Sequence, residues 1–332
     1  MKTCEIYKIN FIGLQLFAEN TQVTTQSSLS DEMKVFYSDY LIDNATPKLV
    51  HDQFGQKHPI PKNGGKTIEF RKYSPLPKLL TALTEGVTPD GQSLTVSTIT
   101  ATVAQYGGYV TLSDVLLLTA IDNNLVQATK LLGNQAGATL DTITREVLNG
   151  GTNVIYSGGV ASRNALTAAS VLTVDDIKKA VRALKNQNAD KIGNSYVAII
   201  HPDVAYALTN DPKWEAVKTY CEPSDWYEGE IGRIAGCRFV ETTEAKIWAG
   251  AGSGGQAVYS TLVLGDNAYG VTEIEGGGLE HIVKQLGSAG TADPINQRAT
   301  VGWKATKVAE RLVEQFMVRI ESGCTFNPDE SN

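Results

Sequence analysis

The stretch TIEFRKYSPLPKLLTALTEGVTPDGQSLTVSTITATVAQYGGYVTLS, Thr67–Ser113, decides the fold. Two strand-like runs, Thr67–Tyr73 and Val96–Val110, flank a turn-rich segment. In the first run Ile68 and Phe70 alternate with Glu69 and Arg71, as suits a ribbon with one covered and one wet face. The second run is rich in Thr, Val and Ile, whose branched side chains fit a pleated surface better than a helix. Glu85-Gly86 and Pro89-Asp90-Gly91 mark turns between them. The pattern predicts a long two-stranded arm with a large tip. An isolated ribbon is marginal in water, so it needs another surface to lie on. The arm therefore points to assembly rather than catalysis.

Upstream, Pro59, Pro61 and Gly64-Gly65 punctuate the entry to the arm. Glu19–Ser30 is polar and aperiodic, which predicts a mobile arm. Ser30 is placed to cap a helix from Asp31, with Met33, Phe36, Tyr37, Tyr40 and Leu41 on one face. Thr46-Pro47 predicts a second short helix that stops at Gly55.

Downstream, Asp122–Asn149 reads as one long helix. Leu125, Leu132, Ala136, Leu140, Ile143 and Val147 recur at three- and four-residue spacing. At about 1.5 Å per residue it spans roughly 40 Å, a spine able to cross a sheet. Gly133 and Gly137 lie one turn apart. Each weakens a helix by about 1 kcal/mol relative to Ala, so a close-packed neighbour is expected there.

Leu172–Val271 alternates helix and strand. Thr173-Val-Asp-Asp176 starts a helix through about Asn186, with Ile177, Ala180, Val181 and Leu184 inward. Tyr196–Ile200 is a buried strand that His201-Pro202-Asp203 turns into another helix, and Arg238–Glu241 and Val258–Leu264 are strand-like. The tail returns to strands at Leu279–Leu286, at Ala299, Val301 and Trp303, and at Phe316, Val318 and Ile320. In the last, Met317, Arg319 and Glu321 fall on the opposite face. The spine is the natural cover for these strands. The outer sub-domain is then discontinuous, with residues 172–271 inserted between its halves.

The chain has 332 residues, a net charge of −7 and 42% hydrophobic content, enough for a substantial core and too acidic for a dedicated nucleic-acid binder. Cys4, Cys221, Cys237 and Cys324 are scattered, without metal-ligand spacing, as expected of reduced cysteines in a cytoplasmic protein. No apolar run reaches membrane-spanning length. Lys2 and Lys8 precede FIGLQLFA, but Gln15 interrupts this short apolar run and no signal peptide is expected.

Motifs for chemistry fail on context. Gly65-Lys66-Thr67 ends like a phosphate loop, but Ile60 stands where that loop needs Gly. Gly250-Ala-Gly252-Ser-Gly254-Gly255 matches a dinucleotide fingerprint, yet a strand-like run follows it instead of a helix. His51, His58, His201 and His281 share no ligand spacing, and His201 reads as a satisfied corner residue. Asp175-Asp176 fits a helix N-terminus better than a carboxylate pair. Lys78 at the tip invites an amide cross-link to a neighbour's Asn, which would need a buried lysine and a nearby acid. A surface or interface lysine is the simpler reading.

Several segments carry a family resemblance: LQLFAE (Leu14–Glu19), GKTIEFRKYSPLP (Gly65–Pro77), LTEGVTPDG (Leu83–Gly91), YGGYVTLSDVL (Tyr106–Leu116), TREVLNGGTNVIY (Thr144–Tyr156), IIHPDVAYAL (Ile199–Leu208), GEIGRIAGCRFVETTEA (Gly229–Ala245) and LGSAGTADPINQRATVGWKA (Leu286–Ala305). In order and across most of the chain, they resemble the major capsid proteins of tailed bacteriophages with the Hong Kong-phage-type fold, in the branch of the N-four-type podoviruses. The resemblance implies an α+β fold with an N-terminal arm (1–58), an extended β-hairpin loop (59–113), a peripheral domain (114–171 and 272–332) carrying the spine helix (122–149), and an α/β axial domain (172–271). It implies a structural, non-enzymatic subunit with no catalytic, cofactor-binding or metal-binding residue. This subunit would self-assemble as pentamers and hexamers into an icosahedral head shell around double-stranded DNA, without sequence-specific DNA binding or a membrane. Scaffolding and portal proteins are the implied partners, with a decoration protein as a further candidate. The implied location is the virion, after assembly in the host bacterial cytoplasm. Gly64-Gly65, Gly86 and Gly107-Gly108 would be joints that let the loop change angle. Met1–Lys8 precedes the resemblance, so a later start is expected. No large removable N-terminal domain is seen, so assembly is expected to use a separate scaffolding protein or the arm alone. Two other readings stand beside this one: an encapsulin-like compartment shell of the same fold, and a soluble α/β enzyme with an oligomerisation arm.

Overall fold

The computed structural model describes residues 23–24 and 50–332, except 75, 84, 87, 89, 121–123, 215–231, 276, 289, 291–292 and 327–331. The helix expected from Asp31, most of the N-terminal arm and the expected helix start at Asp122 lie outside the described residues. So does the start of the helix expected from Pro47 to Gly55; its described part is not helical, with turns at 51–54 and a bend at Gly55. The chain forms two compact units. The smaller draws on Tyr109–Ala128, Val283–Val301 and the described residues within Met1–Tyr40; the larger takes Leu41–Gly108, Thr129–Ile282 and Gly302–Asn332.

The arm is a separate two-stranded antiparallel sheet. Strands β3 (Thr67–Tyr73) and β4 (Val96–Thr102) pair from Thr67 opposite Thr102 to Tyr73 opposite Val96. The return run is not one strand. It breaks at Val103, whose N–H donates to Lys66 O at 2.8 Å, and resumes as β5 (Ala104–Ser113) in another sheet. Burial accounts for the break: Ala101 and Val103 are buried at the ribbon's foot, while most of β4 is exposed.

That second sheet has six strands. They are β1 (Val23–Thr24), β2 (Gln56–Lys57), β5, β12 (Tyr269–Thr272), β13 (Glu280–Lys284) and the long β14 (Arg298–Arg311). Their order is β1-β5-β14-β12-β2, with β13 also on β14. Gly107 in β5 is a packing position and not a joint. A Cβ there would meet Trp303 O at 2.7 Å, so only glycine permits this backbone approach. Ser113 then caps helix α1 (Asp114–Thr119), its Oγ accepting from Leu116 N at 3.2 Å.

The expected spine is helix α2 (Asn124–Asn149). As expected it covers strand β14: Trp303 Nε1 donates to Gln135 Oε1 at 3.2 Å, and Lys307 Nζ to Leu140 O at 2.9 Å. Its buried stripe departs from the hydrophobic reading. Ala128, Leu132, Ala136, Leu140 and Leu148 are buried together with Asp141, Thr144, Arg145 and Asn149, while Ile143 and Val147 are only half-buried. The close neighbour expected at Gly133 and Gly137 is not there. Among the described residues, nothing lies within 4 Å of the place a Cβ would take at either position.

The third sheet has seven strands. These are β6 (Val154–Tyr156), β7 (Tyr196–Ile200), β8 (Arg233–Ile234), β9 (Cys237–Glu241), β10 (Ile247–Trp248), β11 (Val258–Leu264) and β15 (Met317–Ser322). Their order is β6-β15-β11-β7-β9-β8, with β10 on β11. Helices α3 (Val174–Asn186) and α4 (Pro202–Thr209) contribute Ile177, Ala180, Val181, Leu184, Val204 and Leu208 to its core. Strands β6 and β15 come from outside Leu172–Val271, the span read as the α/β sub-domain. The alternation places Met317, Arg319 and Glu321 on the face opposite Val318 and Ile320, and every residue of β15 is buried, so both of its faces are covered.

Candidate assembly surface

The residues weighed for chemistry are scattered and serve local structure. Gly65 holds φ +91° in the turn that opens the arm, and Thr67 begins β3. The 250–255 glycine run is a loop leading into β11, with Gly250, Gly254 and Gly255 at positive φ. His201 is buried at a helix start: its Nδ1 accepts from Asp203 N at 3.2 Å and its ring lies 5.1 Å from that of Tyr259. Thr173 caps α3, its Oγ1 accepting from Asp176 N at 3.4 Å and donating to the Asp176 carboxylate at 2.9 Å. Asp175 points outward to Lys213. Lys78 is exposed. Among the described residues no group of three or more His, Cys, Asp or Glu is placed to hold a metal, and no helix is long and apolar enough to cross a membrane.

What the chain does present is the arm. At its foot, Phe70 packs over Gly270, where an added Cβ would meet the ring at 3.0 Å, and lies edge-on to His58 with centroids 6.0 Å apart. At its tip, Leu76, Leu79, Leu80, Leu83 and Leu94 are all exposed, Leu80 to 90%. Single exposed leucines are ordinary. A contiguous run on one projecting loop marks an interaction surface.

Two buried polar clusters hold the frame from which the arm projects. In the first, Asp141 of α2 accepts from Val50 N (3.0 Å), His51 N (2.8 Å) and His51 Nδ1 (2.6 Å). Beside it Asp52 accepts from Thr144 Oγ1 at 2.6 Å and from Lys307 Nζ, and Tyr269 donates to His51 O. Burial pushes the Tyr269 hydroxyl well above its ordinary range, with nearby Asp52 adding to the effect. The segment entering the arm is thus latched to the spine and to β14.

The second cluster surrounds Glu321, which is fully buried. Arg163 grips it with two bonds of 2.7 Å, and Arg319 adds a third at 2.8 Å. Arg319 also donates to Asn149 O and Gly151 O, satisfying carbonyls at the end of the spine. The Arg163 guanidinium stacks 3.9 Å above the Trp248 ring. Hydrogen bonding to Glu321 raises the Arg163 pKa, whereas burial lowers that of Arg319. Nearby, partial burial disfavours the Glu146 carboxylate, but bonds from Lys246 and Arg145 outweigh it and hold the pKa below its ordinary value. Burial pushes the Cys237 thiol up to about 12, leaving it inert. Hydrophobic periodicity missed both clusters, since it reads Asp141 and Glu321 as wet positions. The one available signal was Arg319 and Glu321 standing two apart on the same face of a short strand.

Comparison with known proteins follows the same direction. The family model described as phage capsid protein matches residues 96–309. The chain is similar to the capsid of the cyanophage P-SCSP1u, at 13% identity and TM-score 0.68, covering 89% of this chain and 94% of that one. It is similar to the capsid of Ralstonia phage GP4, at 14% identity and TM-score 0.67, covering 90% and 96%. The head of Helicobacter pylori bacteriophage KHP40 aligns at 13% identity and TM-score 0.58, covering 95% and 99%. At such identities the likeness is one of fold. No curated protein matches.

Proposed function

The chain belongs to the phage capsid protein family, and from that premise we propose that its arm clamps neighbouring subunits into a closed shell. It is a structural major capsid protein of a phage head with the Hong Kong-phage-type fold. In this reading the subunits form pentamers and hexamers of one icosahedral shell around double-stranded DNA. Residues 59–113 act as the extended loop, 114–171 and 272–332 as the peripheral domain, and 172–271 as the core of the axial domain. The observation that carries the proposal is the row of exposed leucines at the arm tip, which no part of the chain covers among the described residues. A second subunit is the cover this reading assigns to them.

The subunit works without catalysis. Its residues with catalytic potential act as caps and latches, as His201 and Asp176 do. An acidic wall, at net charge −7, avoids clamping a polyanionic genome. Scaffolding and portal proteins are the expected partners, with a decoration protein as a further one, and assembly takes place in the host cytoplasm before packaging. A compartment shell of the same fold is not favoured, because the matching family is one of phage capsid proteins.

Electron microscopy of the purified chain, alone and with its neighbouring gene products, tests the proposal. Closed shells or five- and six-membered rings are the expected result. Small discrete oligomers under both conditions would overturn it.

A further inference from the structure

Helix α3 keeps one face in the core and turns a cationic one outward. Ile177, Ala180 and Leu184 are fully buried, which fixes the helix and the direction of its other face. Its exposed residues are Lys178, Lys179, Arg182, Lys185 and Asn186. Lys178, Arg182 and Lys185 follow at spacings of four and three, so they form one row. At about 1.5 Å per residue that row is about 10 Å long. The acids of the first turn do not cancel it. Asp176 is taken by Lys179 at 2.9 Å, and Asp175 is bound to Lys213, with Lys178 only at 3.9 Å. Among the described residues Arg182 and Lys185 form no ion pair.

A chain of net charge −7 does not need such a row for solubility. The helix macrodipole accounts for Lys185, in the last turn, but its effect fades within that turn and does not reach Lys178. What the row complements is a regular polyanion. Double-stranded DNA carries one negative charge per about 1.7 Å of its axis, so a row of about 10 Å faces about six phosphates. A protein partner is the poorer fit. The centre of a protein interface is depleted in lysine and built on aromatic and apolar anchors, and the exposed residues of α3 include none of these.

We propose that the outward face of α3 is a contact for the phosphates of double-stranded DNA, made without regard to base sequence. The proposal rests on the shell reading above and names the part of the wall that the enclosed DNA touches. The surplus of acid elsewhere holds the DNA off, and the row gives it one place to rest on each subunit. A single contact is weak, but the copies in a shell present it repeatedly to one long molecule, and linked contacts gain in avidity.

The first test needs no shell. A short fluorescein-labelled duplex is titrated with the unassembled full chain, and its anisotropy is read at several salt concentrations. Three neutralised phosphates predict a slope of log K against log salt of about −2.7, a loss of about fortyfold between about 50 and about 200 mM salt. Lys178→Gln, Arg182→Gln and Lys185→Gln together should abolish that binding. Lys62→Gln, Lys72→Gln and Lys284→Gln remove three exposed cations elsewhere, with the same change of net charge, and should leave the slope as it is. Equal losses from both triple variants would reduce the effect to net charge and overturn the proposal. So would a parent chain that fails to bind the duplex at low salt. The second test reads what the row meets inside a head. Heads filled in the host and carrying Arg182→p-benzoylphenylalanine should give a protein–DNA adduct on irradiation. An adduct with another protein instead would give the row to an acidic partner and overturn the DNA contact. Filled heads without any adduct would overturn it too, and both outcomes leave the shell reading standing. Absence of any shell or ring from the parent chain would overturn the shell reading and the proposal with it.

Discussion

Glu321 shows how much a single residue holds here. Its carboxylate ties together Arg163 from an irregular segment and Arg319 from β15, and Arg319 in turn closes the end of the spine. Breaking a buried pair by removing one partner leaves an uncompensated charge and costs about 3–5 kcal/mol. Glu321→Gln should lose stability of that order, read as a lower urea midpoint at unchanged slope. A midpoint equal to that of the parent would show the cluster to be energetically idle. Glu146 governs an acid response. Its folded-state pKa is depressed, so the native state binds fewer protons than the unfolded chain. The stability it contributes is therefore present above the ordinary glutamate value of about 4.3 and lost as pH falls through the lower folded value. Lys246→Met should flatten the fall in stability as pH drops below the ordinary glutamate value of about 4.3, measured by denaturant titration at each pH. An unchanged slope would assign the shift to other partners.

At the scale of elements, the arm separates folding from assembly. Among the described residues, strands β3 and β4 pair only with each other, and none from their tip joins either core cluster. Deleting Leu79–Leu94 should leave the circular dichroism spectrum and melting temperature of the unassembled chain nearly unchanged while abolishing shells under the electron microscope. Normal shells from the deletion would sink the clamp. The arm was legible because its features are local: alternating Ile68 and Phe70, β-branched residues on the return, and turn residues between. The break at Val103 was not legible, since it depends on which sheet each half of the return run joins. The spine was legible in length and blurred in face. Asp141, Thr144 and Arg145 are buried by partners about a hundred residues away in sequence, such as His51 and Glu244, and no periodicity announces such partners.

At the scale of the whole molecule, a subunit that leaves leucines exposed gains stability when assembly covers them. Anything that binds the native state alone raises apparent stability by mass action, so shells should melt at a higher temperature than unassembled chains, and the gap should shrink on dilution below the assembly threshold. Calorimetry of both forms checks this; identical transitions would mean that the contacts contribute nothing to the fold. The sequence by itself determined the kind of molecule: an arm that needs a partner, a long spine, an acidic mixed helix and sheet chain without a catalytic motif, and the family resemblance that runs through its segments. These follow from local pattern, which propensity and turn chemistry write into neighbouring residues. Only the tertiary structure decided where the strands go. It placed Val154–Tyr156 and Met317–Ser322 in the same sheet as Val258–Leu264, buried Glu321 between two arginines, and turned Gly107 from a joint into a point of close packing. Strand pairing and burial depend on residues far apart in the chain, and their energies appear only when those residues meet.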